Sequence, residues 1–196
     1  MKLHYVATHF LVLTLLLAGC SGSLSSTDGG LGSSATAEAR TTIQTSKDGV
    51  VKLTVPDGWQ DIWTEADKEQ WSLLVGKRSE LLQLGVRSIA KADFPAITPE
   101  AHAQAALTAG TAPFSEPEIL ENGKQITVNG HPAVLYRTVG TVSGQRLATY
   151  SLSVETPGYY HGIFVAGPEQ TFVEHEAEVE HIIQSLQEAQ ETVSTQ

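Results

Sequence analysis

The hydrophobic pattern of the chain becomes regular from about residue 41. Apolar and polar side chains alternate there, which predicts paired strands. Residues 41–46 and 50–55 flank Lys47-Asp48-Gly49, which is a turn sequence. Residues 71–76 and 81–90 flank a second polar turn. Each pair is expected to form an antiparallel hairpin, because a short polar turn returns the chain beside itself.

A longer antiparallel meander is predicted between residues 118 and 156. Its segments are 118–121, 124–128, 133–142 and 146–156, and they are separated by Asn122-Gly123, Asn129-Gly130 and Ser143-Gly144. Asn-Gly is a strong hairpin signal, because both turn positions need a positive φ. Residues 159–166 are apolar at nearly every position, which predicts a central strand covered on both faces.

Two helices complete the pattern. Thr98 and Pro99 form a helix start, with an N-capping hydroxyl followed by a proline at the first helical position, and this helix is expected to end at Gly110. A second helix is expected to open at Gly167-Pro168-Glu169, and its buried stripe is Phe172, Val179, Ile182, Ile183 and Leu186. The predicted fold class is α+β, an α/β/α sandwich with a mainly antiparallel sheet flanked by helices.

The beginning of the chain predicts export and lipid attachment. Lys2 precedes an apolar run, residues 10–17. This run is too short for a membrane span, which needs about 20 residues, but it fits a secretory signal. The run ends in Leu17-Ala18-Gly19-Cys20, which resembles the lipobox of bacterial lipoproteins. That resemblance implies cleavage before Cys20 and acylation of Cys20 by chains such as palmitate.

Ser21 follows the predicted lipidated cysteine. The lipoprotein resemblance implies that such a chain, lacking Asp at this position, resides in the outer membrane facing the periplasm if the cell is Gram-negative. In any other envelope it would lie on the outer face of the plasma membrane. The protein is therefore expected to bind the membrane through the lipid on Cys20.

Composition predicts four segments. Residues 1–19 are the lipoprotein signal peptide, 20–40 a lipidated Cys with a flexible Ser/Gly-rich tether, 41–188 a single domain and 189–196 a disordered tail. The Ser/Gly-rich part from residue 21 to about residue 38, about 18 residues, has an r.m.s. reach of about 21–25 Å. The domain is then expected to search a small volume above the membrane.

Charge and cysteine content exclude several function classes. The chain has 12 Lys and Arg against 22 Asp and Glu, a formal net charge of −10, which disfavours nucleic acid as a partner. Hydrophobic residues make up 41% of the chain and charged residues 17%, which is the balance of a globular protein. A single cysteine excludes an intramolecular disulfide, a cysteine-based zinc site and an iron–sulfur cluster.

The order of motifs resembles the PsbP-like and DcrB-like group. The motifs are a hairpin that ends in Val55-Pro56-Asp57-Gly58-Trp59, then Val128-Asn129-Gly130-His131-Pro132-Ala133, a strand over residues 150–155, and Ile182-Ile183-Gln184-Ser185-Leu186. The resemblance implies an antiparallel sheet between helices across residues 41–188. It also implies a non-enzymatic accessory or binding role; one branch of the group assists photosystem II, and nothing here singles out that branch.

The last helix carries a candidate metal site. Glu174, Glu178 and His181 are separated by four and then three positions, which places them on one face of a continuous helix. Carboxylate and imidazole groups are ligands of zinc. The alternative is a solvated acidic face, which agrees with the overall charge.

Catalytic motifs are incomplete. Ser88-Ile89-Ala90-Lys91 matches an S-x-x-K string, but the S-D-N and K-T-G motifs that accompany it in penicillin-interacting enzymes are absent. His102, His131 and His161 are available for a Ser–His–acid site, yet the sequence has no G-x-S-x-G elbow and no phosphate-binding glycine loop. We therefore expect no enzymatic activity and no cofactor.

Aromatic residues offer a candidate interface. Trp63 lies in a polar stretch, and Tyr159-Tyr160 opens the predicted central strand. The predicted function is a membrane-tethered, non-enzymatic binding or accessory lipoprotein of the bacterial cell envelope, with an envelope protein as partner. The alternatives are a metal- or small-ligand-binding module and an envelope hydrolase with a dispersed site.

Overall fold

The computed structural model describes residues 40–189. The predicted signal peptide, Cys20, the tether up to residue 39 and residues 190–196 of the predicted tail lie outside the described residues. In chain order the strands and helices are β1 (Thr41–Thr45), β2 (Val51–Pro56), β3 (Gln60–Asp61), β4 (Leu73–Lys77), β5 (Leu82–Ala90), α1 (Pro99–Thr111), β6 (Ser115–Val128), β7 (His131–Val142), β8 (Gln145–Glu155), β9 (Tyr159–Pro168), α2 (Glu169–Glu174), α3 (Glu176–Gln184) and β10 (Gln187–Glu188).

Seven strands form one antiparallel sheet in the order β3-β4-β5-β9-β8-β7-β6. Helix α1 packs on one face of this sheet, against β7, β8 and β9. The other face is covered by α2, α3 and a three-stranded antiparallel sheet of order β1-β2-β10. The predicted α+β fold, an antiparallel sheet flanked by helices, is confirmed. The sequence pattern did not predict that β1, β2 and β10 form a second, separate sheet.

The main core lies between the two sheets. Strand β2 buries Val51, Leu53 and Val55, and the intervening residues Lys52 and Thr54 are half-buried, as the alternation predicts. The predicted stripe of the closing helix is buried as well: Phe172, Val179, Ile182, Ile183 and Leu186 are each at most 3% exposed. No helix within residues 40–189 has the length and apolar character needed to cross a bilayer.

Helix α1 begins as predicted and ends one residue later than predicted. The Thr98 side chain accepts a hydrogen bond from the Ala101 N–H, 3.2 Å away. Gly110 is not the end of the helix but part of its buried face, together with Ala103 and Leu107. A Cβ at Gly110 would lie 2.7 Å from the Phe164 ring. Glycine therefore permits close packing of the helix on the sheet here, rather than capping.

Two of the three predicted meander turns are confirmed, and one is wrong. Asn129-Gly130 joins β6 to β7 and Ser143-Gly144 joins β7 to β8, with positive φ at all four residues. Asn122-Gly123 does not reverse the chain. It lies inside the single long strand β6, where the register against β7 shifts by one residue, so it forms a bulge.

The closing helix is interrupted at His175. This residue has φ −108° and ψ 12° and separates α2 from α3. These angles lie outside the helical range. Its ring contacts Glu178 through Nδ1 at 3.1 Å and lies 3.8 Å from Glu80. Because of this break, residues of α2 and α3 do not share the faces that they would share on one continuous helix.

Candidate functional site

A cleft of about 500 Å³ opens between the edge strand β6 and the helices α2 and α3. Strands β7 and β8 supply its floor. Its size is within the range of small-molecule sites, which is roughly 300–1,000 Å³. The lining residues are Glu121, Lys124, Leu135, Arg137, Tyr150, Val173, Glu174, Glu176, Ala177 and Glu180.

Two irregularities of the fold border this cleft. The bulge at Asn122-Gly123 separates Glu121, which pairs in register with Arg137, from Lys124, which pairs with Leu135. Because of the extra residue, both Glu121 and Lys124 line the cleft. The helix break at His175 lies between the lining residues of α2 and those of α3. The cleft is thus bordered by one irregularity of a strand and by one interruption of a helix.

Arg137, Glu176 and Tyr150 form a connected group on the floor. Arg137 Nη1 lies 2.8 Å from Glu176 Oε1. The guanidinium lies 5.7 Å from the centre of the Tyr150 ring, which is within the range of a cation–π contact. The Tyr150 hydroxyl donates a hydrogen bond to the same Glu176 carboxylate. These contacts hold one positive and one negative group in fixed positions beneath an open space.

Burial sets the protonation state of Tyr150. Its side chain is 4% exposed, and burial raises the pKa of its hydroxyl well above the ordinary value for tyrosine. The hydrogen bond to Glu176 raises that pKa further, while the charge of Arg137 lowers it in part. The phenol therefore stays protonated at neutral pH and acts as a hydrogen-bond donor rather than as a base.

The three candidate metal ligands do not come together. Glu174 belongs to α2, whereas Glu178 and His181 belong to α3, so the helix break destroys the common face that the spacing predicted. Glu174 lines the cleft, and its carboxylate accepts a hydrogen bond from Gln170 Nε2 at 2.8 Å. Within residues 40–189 no group of three or more His, Cys, Asp or Glu side chains is arranged to hold a metal ion.

Glu178 has a structural role instead. Its carboxylate accepts a hydrogen bond from the indole N–H of Trp59 and lies 3.3 Å from Lys77 Nζ and 3.1 Å from His175 Nδ1. Burial raises the pKa of Glu178, but the hydrogen bonds from Trp59 and His175 and the charge of Lys77 lower it more, so its net pKa falls below the ordinary value. The carboxylate ties α3 to the loop after β2.

We expect Glu178→Ala to destabilise the fold while Glu174→Ala does not. Trp59 is buried and would lose the acceptor of its N–H. Such a loss costs about 1–3 kcal/mol in the free energy of unfolding. Glu174 is exposed, and its replacement should change that free energy by no more than about 0.5 kcal/mol. Urea unfolding followed by tryptophan fluorescence measures both values, and equal losses in the two variants would refute the role of Glu178.

Of the three histidines considered for a Ser–His–acid site, only His161 is fully buried. His161 is 0% exposed; its Nδ1 lies 2.9 Å from Ser88 Oγ, and its Nε2 lies 3.2 Å from Thr156 Oγ1. His102 Nδ1 lies 2.8 Å from the hydroxyl of Ser153, and Ser153 is itself 0% exposed. In each Ser–His pair one partner has no surface that a substrate could touch. His131 is half-buried and begins β7 directly after the turn.

The aromatic interface candidates differ in exposure. Tyr160 is buried and donates its hydroxyl to the Ile97 carbonyl at 3.0 Å, so it belongs to the interior. Tyr159 is half-buried beside the ring of His161. Trp63 is half-buried, with Lys47 Nζ 5.7 Å from its ring centre. Trp63 and Tyr159 therefore stay candidates for an interface, and Tyr160 does not.

The sequence singled out only one residue of the cleft, Glu174, as a candidate metal ligand or as part of a solvated acidic face. Arg137, Tyr150 and Glu176 were not recognised, because their contact depends on the pairing of β7 with β8 and on the position of α3. The sequence did carry one signal. Arg137 places a charged side chain at a core-facing position of β7, where the alternation calls for an apolar residue. A charged residue at such a position needs a partner or a ligand.

Comparisons with known proteins identify the fold. No protein-family model matches the chain, and no curated protein sequence matches it either. Among solved structures, LpqN of Mycobacterium tuberculosis, a protein involved in cell envelope biogenesis, matches with a TM-score of 0.53 and 11% identity over 78% of this chain and 92% of LpqN. The cyanobacterial PsbP of Synechocystis matches with a TM-score of 0.53 and 10% identity over 83% of this chain and 98% of that protein. The chain therefore has a PsbP-like fold.

Proposed function

We propose that this protein is a lipid-anchored, non-enzymatic binding module of the bacterial cell envelope, and that its cleft is the binding site. The observation that carries the binding role is the cleft itself, in which Arg137, Tyr150 and Glu176 are held below an open, charged rim. Concave sites with a few fixed polar groups are the usual form of ligand sites in proteins.

Attachment to the membrane is supported by the start of the chain. Cys20 is the only cysteine of the protein, and it follows Leu17-Ala18-Gly19 at the position that the lipobox requires. Two or more acyl chains would hold the domain at a bilayer, since each buried methylene contributes about 0.8 kcal/mol. The role of LpqN in envelope biogenesis agrees with an envelope location and with an accessory role.

The absence of enzymatic activity is part of the proposal. It is supported by the burial of one partner in each of the two Ser–His pairs, His161 and Ser153. It is also supported by Tyr150, whose raised pKa makes it a poor general base. We further propose an envelope protein as partner, with the cleft or the surface around Trp63 as the contact.

Replacing Cys20 tests the anchor, and capture tests the partner. We expect Cys20→Ala to move the protein from the membrane fraction to the soluble fraction. The chain has no other cysteine whose sulfur could carry the lipid. In-cell cross-linking of the wild-type chain should capture one envelope component in near-stoichiometric amount. Ser21→Ala is the matched control and should stay in the membrane.

Two results would contradict this function. If Cys20→Ala remains in the membrane fraction to the same extent as Ser21→Ala, the lipid anchor is wrong. If the wild-type chain captures no envelope component specifically, the proposed protein partner is wrong.

A further inference from the structure

Arg137 has hydrogen-bonding capacity that the fold does not use. Its ion pair with Glu176 engages one nitrogen, Nη1, whereas its Nε is shielded from solvent and has no hydrogen-bond partner within residues 40–189. A guanidinium is a planar donor that pairs best with two oxygens of one carboxylate. The Arg137 side chain is 23% exposed and lines the cleft. Nε itself lies out of reach of a ligand, but the exposed part of the guanidinium lines the cleft and can pair with an anionic group that enters it.

The helix side of the cleft offers the opposite charge. Four carboxylates and two cationic groups line the space, and two ion pairs, Lys124 with Glu121 and Arg137 with Glu176, join four of these six groups. Glu174 and Glu180 form no ion pair within the described part of the chain. Both are exposed at the rim. A cationic group is the complement of this rim.

An apolar surface connects the two charged ends. Leu135 and Ala177 line the cleft, and Val173 beside them is 51% exposed. The ring of Tyr150 lies at the base. Methylene groups of a ligand would cover this surface and remove it from water.

We infer that the cleft binds a linear zwitterion, with a carboxylate at Arg137, an ammonium group at Glu174 and Glu180, and an aliphatic spacer along Val173. A C-terminal lysine of a peptide has this chemistry. The inference rests on the proposed binding function and adds the ligand class. A metal ion does not explain the apolar wall, and a plain anion would meet the unpaired carboxylates of the rim.

Isosteric probes test the inference without altering the fold. The probe is ε-aminocaproate, and its controls are the N-acetyl derivative, which lacks the ammonium charge, and the primary amide, which lacks the carboxylate. Saturation-transfer NMR on the full-length chain in lipid nanodiscs, with empty nanodiscs as blank, measures binding of each. We expect ε-aminocaproate to bind about tenfold more tightly than either control, because each control loses one charge-assisted contact.

Matched variants test the rim. Glu174→Gln with Glu180→Gln keeps the shape of both side chains and should weaken ε-aminocaproate binding about tenfold. The control pair is Glu69→Gln with Glu100→Gln, two exposed residues outside the cleft that change the net charge equally. We expect this pair to change binding by no more than about twofold, because screening weakens distant charges.

Each contrary outcome overturns the inference. Equal binding of the amide shows a site for cations alone, equal binding of the N-acetyl derivative shows a site for anions alone, and no signal above the blank shows that the cleft takes no such ligand. Failure here combined with specific cross-linking of an envelope protein would leave the proposed function in place. Failure of cross-linking combined with probe binding would remove the protein partner and keep the ligand.

Discussion

Phe172→Ala is expected to lower the free energy of unfolding by about 3–5 kcal/mol. Phe172 is 0% exposed and is among the largest fully buried side chains of residues 40–189. Its ring meets the Tyr150 ring edge to face, with centroids 4.8 Å apart, and so joins the short helix α2 to β8. Edge-to-face pairs of this kind add to the stabilisation from burial. Removing the Phe172 ring leaves a cavity between α2 and β8, which the surrounding structure fills only in part.

The neighbouring residue provides the control for this change. Val173 is exposed, and Val173→Ala should alter stability by no more than about 0.5 kcal/mol. Urea unfolding followed by circular dichroism measures both. If Phe172→Ala does not fold, Phe172→Leu retains much of the buried volume and should show a smaller loss in the same direction. A loss no larger than that of Val173→Ala would contradict the position of α2 on the core.

Acidification is expected to remove about 3 kcal/mol of stability between pH 7 and pH 4 through His161 alone. Burial lowers the pKa of His161 from its ordinary value near 6.5 to about 4, although Glu188 and Asp48 raise it in part; His131 also lowers it. Below pH 6.5 the unfolded chain binds a proton that the folded chain does not bind. Stability is therefore complete above pH 6.5 and falls as the pH drops toward 4.

Two measurements check the role of His161. The ring resonances of His161 should titrate near pH 4 in the folded protein by NMR. The difference in unfolding free energy between pH 7 and pH 4 should be about 3 kcal/mol smaller in His161→Asn than in wild type. His181→Asn, at an exposed position on α3, is the control for replacing a histidine by asparagine. Parallel pH profiles for His161→Asn and wild type would contradict the prediction.

His161 also shows how a polar core residue can serve the fold. Its two ring nitrogens contact Ser88 of β5 and Thr156, and Thr156 in turn donates to Glu188 of β10. The imidazole thus connects the large sheet to the small one. The apolar neighbours of His161 place it on a strand, but they do not identify Ser88, 73 positions away in the chain, as a partner of its ring.

Local signals were sufficient where neighbouring residues decide the structure. The cap at Thr98, the turns at Asn129-Gly130 and Ser143-Gly144 and the alternation of β2 each depend on contacts within a few residues, and each is confirmed. The same signals failed at Asn122-Gly123. A dipeptide with a positive φ serves a bulge as well as a turn, and the choice was made by the continuous pairing of β6 with β7.

The sequence by itself determined most of the strands and helices and their apolar faces, because periodicity and short motifs express local sterics and burial. The lipobox-like residues 17–20 predict an address at the membrane, and that stays a prediction. Only the tertiary structure decided which charges meet. The pair of Arg137 with Glu176, the separation of Glu174 from Glu178 and the cleft between β6 and α3 all depend on long-range packing. Electrostatic partners act across a few ångströms of space, and distance along the chain does not predict that proximity.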